Sequence, residues 1–170
     1  MIQNLIKGQK AELGKIREPF DVFIKMDHEI STSIDLMIWM MDEKNQVNKN
    51  NIIFYNQPYS ICKSIFYDED ERKFKMHMDQ IDEKIKKMVC GVTIYEDVRE
   101  NRELEFSLEI QKNERSFHIH QSINTKECKN VIVGEIYLYK DLWKWNTIFY
   151  ESEKEIVSCM KKIYDVHILE

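Results

Sequence analysis

The segment Leu104-Glu105-Phe106-Ser107-Leu108-Glu109-Ile110 sets four apolar side chains in strict alternation with three polar ones. A strand projects successive side chains to opposite faces, so a period of two predicts a half-buried β-strand. Two more segments repeat the pattern. Phe20, Val22, Ile24 and Met26 share one face opposite Asp21 and Lys25, and Phe74, Met76 and Met78 stand opposite Lys73, Lys75 and His77. Residues 34–41, 88–95 and 131–139 are apolar on both faces, which predicts central strands covered on each side. Shorter strands are expected over 9–13, 52–55, 117–120 and 143–148. Many short strands divided by polar turns predict a mainly β fold, an antiparallel β-sandwich with a C-terminal α-helix.

That helix is read from Ser152 and Glu155, whose spacing fits a capping box, followed by an apolar stripe of Ile156, Val157, Met160, Ile163 and Tyr164. It is expected to pack across the open face of a sheet. A shorter helical turn is expected around Ile81 and Ile85, joining two strands. Nothing repeats at a fixed period, and Pro19 and Pro58 are too isolated to form a linker, so residues 1–170 read as a single domain.

Composition narrows the function. Hydrophobic residues make up 43% of the 170 and charged residues 32%, which excludes a disordered acidic tail and a membrane channel. With 25 basic against 30 acidic side chains the net charge is −5, so no general positive field exists to hold nucleic acid. The longest strongly apolar run, Leu36 to Met41, is far short of the roughly 20 residues of a spanning helix, and Lys7 interrupts the start before a signal-peptide core forms. Cys62, Cys90, Cys128 and Cys159 are widely spaced with no CxxC pair, which predicts reduced thiols in a cytoplasmic protein.

Two acidic features stand out. The run Asp68-Glu69-Asp70-Glu71 puts four carboxylates in a row, which a hard cation or the neighbouring Arg72, Lys73 and Lys75 would balance. Asp35 is the only charge between Ile30 and Met41, and an unpartnered buried carboxylate costs several kcal/mol. It must therefore lie at a strand mouth, pair with Lys or Arg, or ligate a metal; Asp27 is expected at the same end. His118 and His120 point the same way from one strand, but the sequence names no third ligand beside them. Cys90 reads as core, and Trp143 with Trp145 as packing residues on one face of a late strand. No nucleophile elbow, P-loop or zinc-protease motif occurs, so no catalytic residue is named and no enzyme is expected.

Taken in order, several fragments resemble the TerD family of tellurite-resistance and stress-response domains. They are Leu5-Ile6-Lys7-Gly8-Gln9-Lys10, Ile34-Asp35-Leu36 leading to Met41-Asp42-Glu43-Lys44-Asn45, Ile53-Phe54-Tyr55-Asn56-Gln57, and Ser64-Ile65. The later half adds Val92-Thr93-Ile94-Tyr95-Glu96, Val133-Gly134-Glu135-Ile136-Tyr137 and Trp143-Lys144-Trp145. The resemblance covers roughly Leu5 to Ile163.

It implies a β-sandwich that binds calcium with acidic loops at one end, in a cytoplasmic protein associated with resistance to tellurite, phage and colicins. It also implies action with other stress-response or Ter-type proteins, in complexes near the membrane but without a membrane span. Carried onto matching positions, the cation ligands would be Asp27, Asp35, Asp68, Glu69, Asp70 and Glu71. The pattern departs from the family at this site. Ser33 stands where the family usually has a second aspartate, and the glycine-rich acidic loop shrinks to Tyr67-Asp68-Glu69-Asp70-Glu71, without a glycine to let backbone carbonyls turn round an ion. Two functions therefore remain open: a non-enzymatic stress-response module that binds calcium, and an ion-independent interaction module acting as adaptor or subunit.

Overall fold

The computed structural model describes residues 1–26, 34–95 and 103–170. In chain order the strands are β1 (Ile2–Asn4), β2 (Lys10–Lys15), β3 (Asp21–Met26), β4 (Ile34–Asp42), β5 (Gln46–Asn48), β6 (Ile52–Ile53), β7 (Ile65–Asp68), β8 (Lys73–His77), β9 (Ile85–Ile94), β10 (Leu104–Lys112), β11 (Arg115–Ile123), β12 (Asn130–Tyr139) and β13 (Leu142–Ser152). Helix α1 (Ile156–Tyr164) and strand β14 (His167–Leu169) follow. One sheet has the order β1-β11-β10-β3-β8-β7, the second β2-β13-β12-β9-β4-β6, and β14 pairs with β5 in a two-stranded ribbon. The pairings are antiparallel except for β1 with β11 and β14 with β5.

The alternating segments decide how the sheets stack. Val22, Ile24 and Met26, Phe74 and Met76, and Phe106, Leu108 and Ile110 point inward from the first sheet and meet Leu36, Ile38, Met40, Cys90, Val92 and Trp145 of the second. Their polar alternates face outward, so the first sheet has one solvated face. The second sheet is covered twice. Trp39, Met41, Val89 and Ile132 project from its far face into a separate apolar layer with Cys159, Met160, Tyr164 and Val166. The three segments that read as apolar on both faces are β4, β9 and β12, neighbours at the middle of this sheet.

Gly134 makes one close approach possible. A Cβ there would fall 2.3 Å from Trp145 Cζ2 and 2.5 Å from the Asn146 carbonyl oxygen, at the point where the register of β12 shifts. The bulge and the missing side chain let the indole of Trp145 come close to the β12 backbone.

Two local expectations are corrected. No capping box forms at the helix: Ser152 is still part of β13, paired with Asn130, and the N-cap is Glu155, which makes no side-chain cap bond. Sheet pairing holds Ser152 too far upstream, and the amide of Asn130, donating to the Lys154 carbonyl, fixes the chain as it turns toward α1. The helical turn expected around Ile81 and Ile85 is instead a short 3₁₀ segment at Met78–Gln80, and Ile85 opens β9. Ile85 pairs with Asp42 there, and the ladder overrides its local helical spacing.

Candidate functional site

The end of the sandwich where β4 begins and β7, β8 and β9 meet their turns carries most of the acids singled out in the sequence. Asp68 closes β7 and pairs with Lys73, the first residue of β8. Between them Asp68 Oδ1 accepts the backbone N–H groups of Asp70 at 3.0 Å and Glu71 at 3.3 Å, the Asx-turn geometry that a short acidic side chain favours. Arg72 takes a left-handed conformation with φ 51°, so the turn closes without glycine. Its carbonyl accepts the N–H of Met26 at 3.2 Å, tying the acidic turn to the end of β3. Glu71 is paired with Lys73, whose ammonium lies 2.6 Å from the carboxylate.

Asp35 enters from the second sheet, one residue into β4 and opposite Thr93. Tyr95, just past the end of β9, lies close enough to feel it: burial, followed by Asp35 and Tyr55, raises the Tyr95 hydroxyl well above the ordinary range. Tyr67 reports how close the two acidic features are. Burial lifts its hydroxyl to about 12, the charge of Asp35 adds most to that, Arg72 opposes it, and Glu69 and Asp68 contribute further. Asp35 and the acidic turn therefore lie in one electrostatic neighbourhood, built from opposite sheets.

Among the described residues no three His, Cys, Asp or Glu side chains are placed to hold a metal ion. Calcium needs about 6–8 oxygen ligands. Here Asp68 Oδ1 accepts two N–H groups of its own turn, and Glu71 is paired with Lys73. Asp27 lies outside the described residues, as does Ser33.

The tyrosines are what sequence reading missed. Tyr95 reads as the last apolar position of a central strand, and only its amphipathic nature sets it apart there.

The histidines lie elsewhere, on the solvated face of the first sheet. His120 Nε2 is 2.8 Å from Glu105, which also accepts the Ser122 hydroxyl at 2.7 Å, while His118 Nε2 stands 3.9 Å from Glu109. The cross-strand register of β10 and β11 places each histidine near a carboxylate. Cys90 is buried, and Trp143 and Trp145 sit in the core between the sheets.

The family model described as the TerD domain matches residues 1–160. The chain belongs to the TerD domain family. No curated protein matches it. Among solved structures this TerD domain is similar to the unknown-function protein SAV2460, at 11% identity and a TM-score of 0.59, over 87% of this chain and 95% of that one. It is also similar to a homologue of the telluride resistance protein (TerD), SCO6318 from Streptomyces coelicolor A3(2), at 12% identity and a TM-score of 0.54 over 83% and 94% of the two chains. Identities this low carry the fold of the TerD domain and nothing about its ligands. No helix among the described residues is long and apolar enough to cross a membrane.

Proposed function

We infer that this TerD domain is a non-enzymatic stress-response module that works by protein contact, as adaptor or subunit, and needs no calcium to shape its acidic end. One observation carries the reading: two of the carboxylates that would bind the ion, Asp68 and Glu71, already have partners inside the chain, foremost Glu71 with Lys73 at 2.6 Å. A turn closed by its own Asx bonds and ion pair needs no cation to hold it. Other Ter-type or stress-response proteins in the cytoplasm, in assemblies close to the membrane, are the partners this reading favours.

A second reading keeps calcium. It draws on the way Asp35, Asp68 and Glu69 all act on Tyr67, which supports gathering at one tip, with Asp27 as a further ligand. Calorimetry and thermal melts with calcium, with a chelator and with magnesium as competitor separate the two. The first reading expects no binding heat and a melting temperature indifferent to chelation. Saturable heat with calcium, lost in Asp35→Asn and Asp70→Asn, would replace it with the second.

A further inference from the structure

The molecule contains three tryptophans, and their indole N–H groups are not equally provided for. Trp145 Nε1 donates to Thr147 Oγ1 at 2.9 Å, and Trp39 Nε1 lies 3.1 Å from the Met37 sulfur. Trp143, 2% exposed, has no acceptor for its N–H among the described residues. A buried donor without a partner is costly, and an isosteric apolar ring would avoid the cost.

Trp143 also lines a cleft of about 740 Å³, at the end of the sandwich away from the acidic turn. The β2–β3 loop, the β4–β5 turn and the β8–β9 connection form its other walls, through residues such as Arg17, Glu43 and Asp79. That volume suits a small ligand. Ile16, Met78, Ile81 and Ile85 give the cleft apolar surface next to the indole.

Its rim carries both signs of charge. Arg17, Lys84 and Lys86 face the same space as Glu43, Asp79 and Glu83. Asp42 and Asp82 belong to the lining too, but each uses Oδ1 to accept backbone N–H groups of its own turn. A wall of mixed sign favours neither a simple anion nor a simple cation. It suits a ligand that carries both.

We propose that this cleft binds a short zwitterionic peptide, with a carbonyl or carboxylate oxygen accepting the Trp143 indole N–H, an apolar side chain against Ile81 and Ile85, and charged termini on the rim. The indole nitrogen is closed to water in the free protein. Binding therefore includes a shift of a neighbouring side chain that lets the ligand oxygen reach it. The site is independent of calcium and of the acidic end.

The test is a titration of the ¹⁵N-labelled full chain with the dipeptide Leu-Leu, following the three indole cross-peaks, with Trp143 assigned through Trp143→Phe. The expected result is a saturable downfield shift of the Trp143 peak alone, at millimolar dipeptide or below. Binding followed by calorimetry should be lost in Trp143→Phe and weakened in Arg17→Gln and Asp79→Asn, whose exposed side chains leave the fold intact. The blocked, uncharged analogue N-acetyl-Leu-Leu-amide should bind more weakly, and acetate alone should not bind. No saturable shift with Leu-Leu overturns the proposal. Equal binding of the blocked analogue or of acetate also overturns it, because the rim charges would then play no part. If Trp143→Phe does not fold, the Arg17 and Asp79 variants together with the wild-type indole shift decide the matter.

Discussion

The hydroxyl of Tyr164 donates a 2.7 Å hydrogen bond to Glu135 Oε2, joining the last turn of α1 to the middle of β12 in a buried site. The ammonium of Lys87 stands 3.7 Å from the same carboxylate oxygen and 5.1 Å from the centre of the Tyr164 ring. Burial, reinforced by the Glu135 charge, holds the Tyr164 hydroxyl far above its ordinary range, so it remains a donor at any working pH. Removing that donor in Tyr164→Phe leaves a largely buried carboxylate short of a partner and should destabilise the protein by about 1–3 kcal/mol. Urea denaturation of the variant, with an unchanged m-value, measures it; an unchanged midpoint would show that Lys87 alone satisfies Glu135.

Gly134 should tolerate no side chain. A Cβ at 2.3 Å from the Trp145 ring and 2.5 Å from a backbone oxygen forces either the indole or the β12 bulge to move. Gly134→Ala is expected to lose about 1–3 kcal/mol, the usual range for overpacking. Gly91 is a fair comparison, since a Cβ there meets its nearest atom, a flexible Ile156 methyl, at 3.4 Å. A thermal melt of the two alanine variants should rank Gly134→Ala well below Gly91→Ala.

The thiols should separate by access. Cys62 is exposed, while Cys90, Cys128 and Cys159 are buried. Burial pushes the Cys90 thiol up to about 12 and is the main cause that lifts Cys128 to about 11, so neither supplies thiolate near neutral pH. An aromatic disulfide reagent is expected to titrate one thiol quickly in the native protein and four after unfolding. Cys62→Ser should abolish the fast phase.

Glu105 gives a pH-dependent test on the open sheet face. The Ser122 hydroxyl, then the His120 ring, hold its carboxyl below the ordinary glutamate range. A folded-state value lowered in this way adds stability above the ordinary glutamate value and loses it as pH falls through the folded one. Carbon-detected NMR titration should show the Glu105 midpoint rising more in Ser122→Ala than in His120→Ala. The carboxyl is fully exposed, so added salt should narrow the difference.

Alternation along β3, β8 and β10 was enough to tell which face of each strand is covered, because a strand's period of two is a local property of the backbone. The doubly apolar runs that became β4, β9 and β12 likewise announced a sheet with something on both sides. Family membership was legible as well, from ordered fragments between Leu5 and Ile163 that the match to residues 1–160 bears out. Local signals failed where pairing had the stronger claim, as at Ser152, held in β13 by Asn130, and at Ile85, held in β9 by Asp42.

The partners of the charges were decided by the tertiary structure alone. Asp35 reads as a carboxylate that must lie at a strand mouth, pair with a base or ligate a metal; it lies one residue into β4, and the residue that feels it, Tyr95, is sixty positions later. Trp143 reads as an ordinary core residue like Trp145, yet the Trp145 indole N–H has a threonine two residues on and that of Trp143 has no acceptor among the described residues. Side-chain chemistry and strand period are written within a few consecutive residues. Which loops meet at an end of the sandwich depends on long-range pairing between sheets, and with it the balance of charge and the unmet hydrogen bonds.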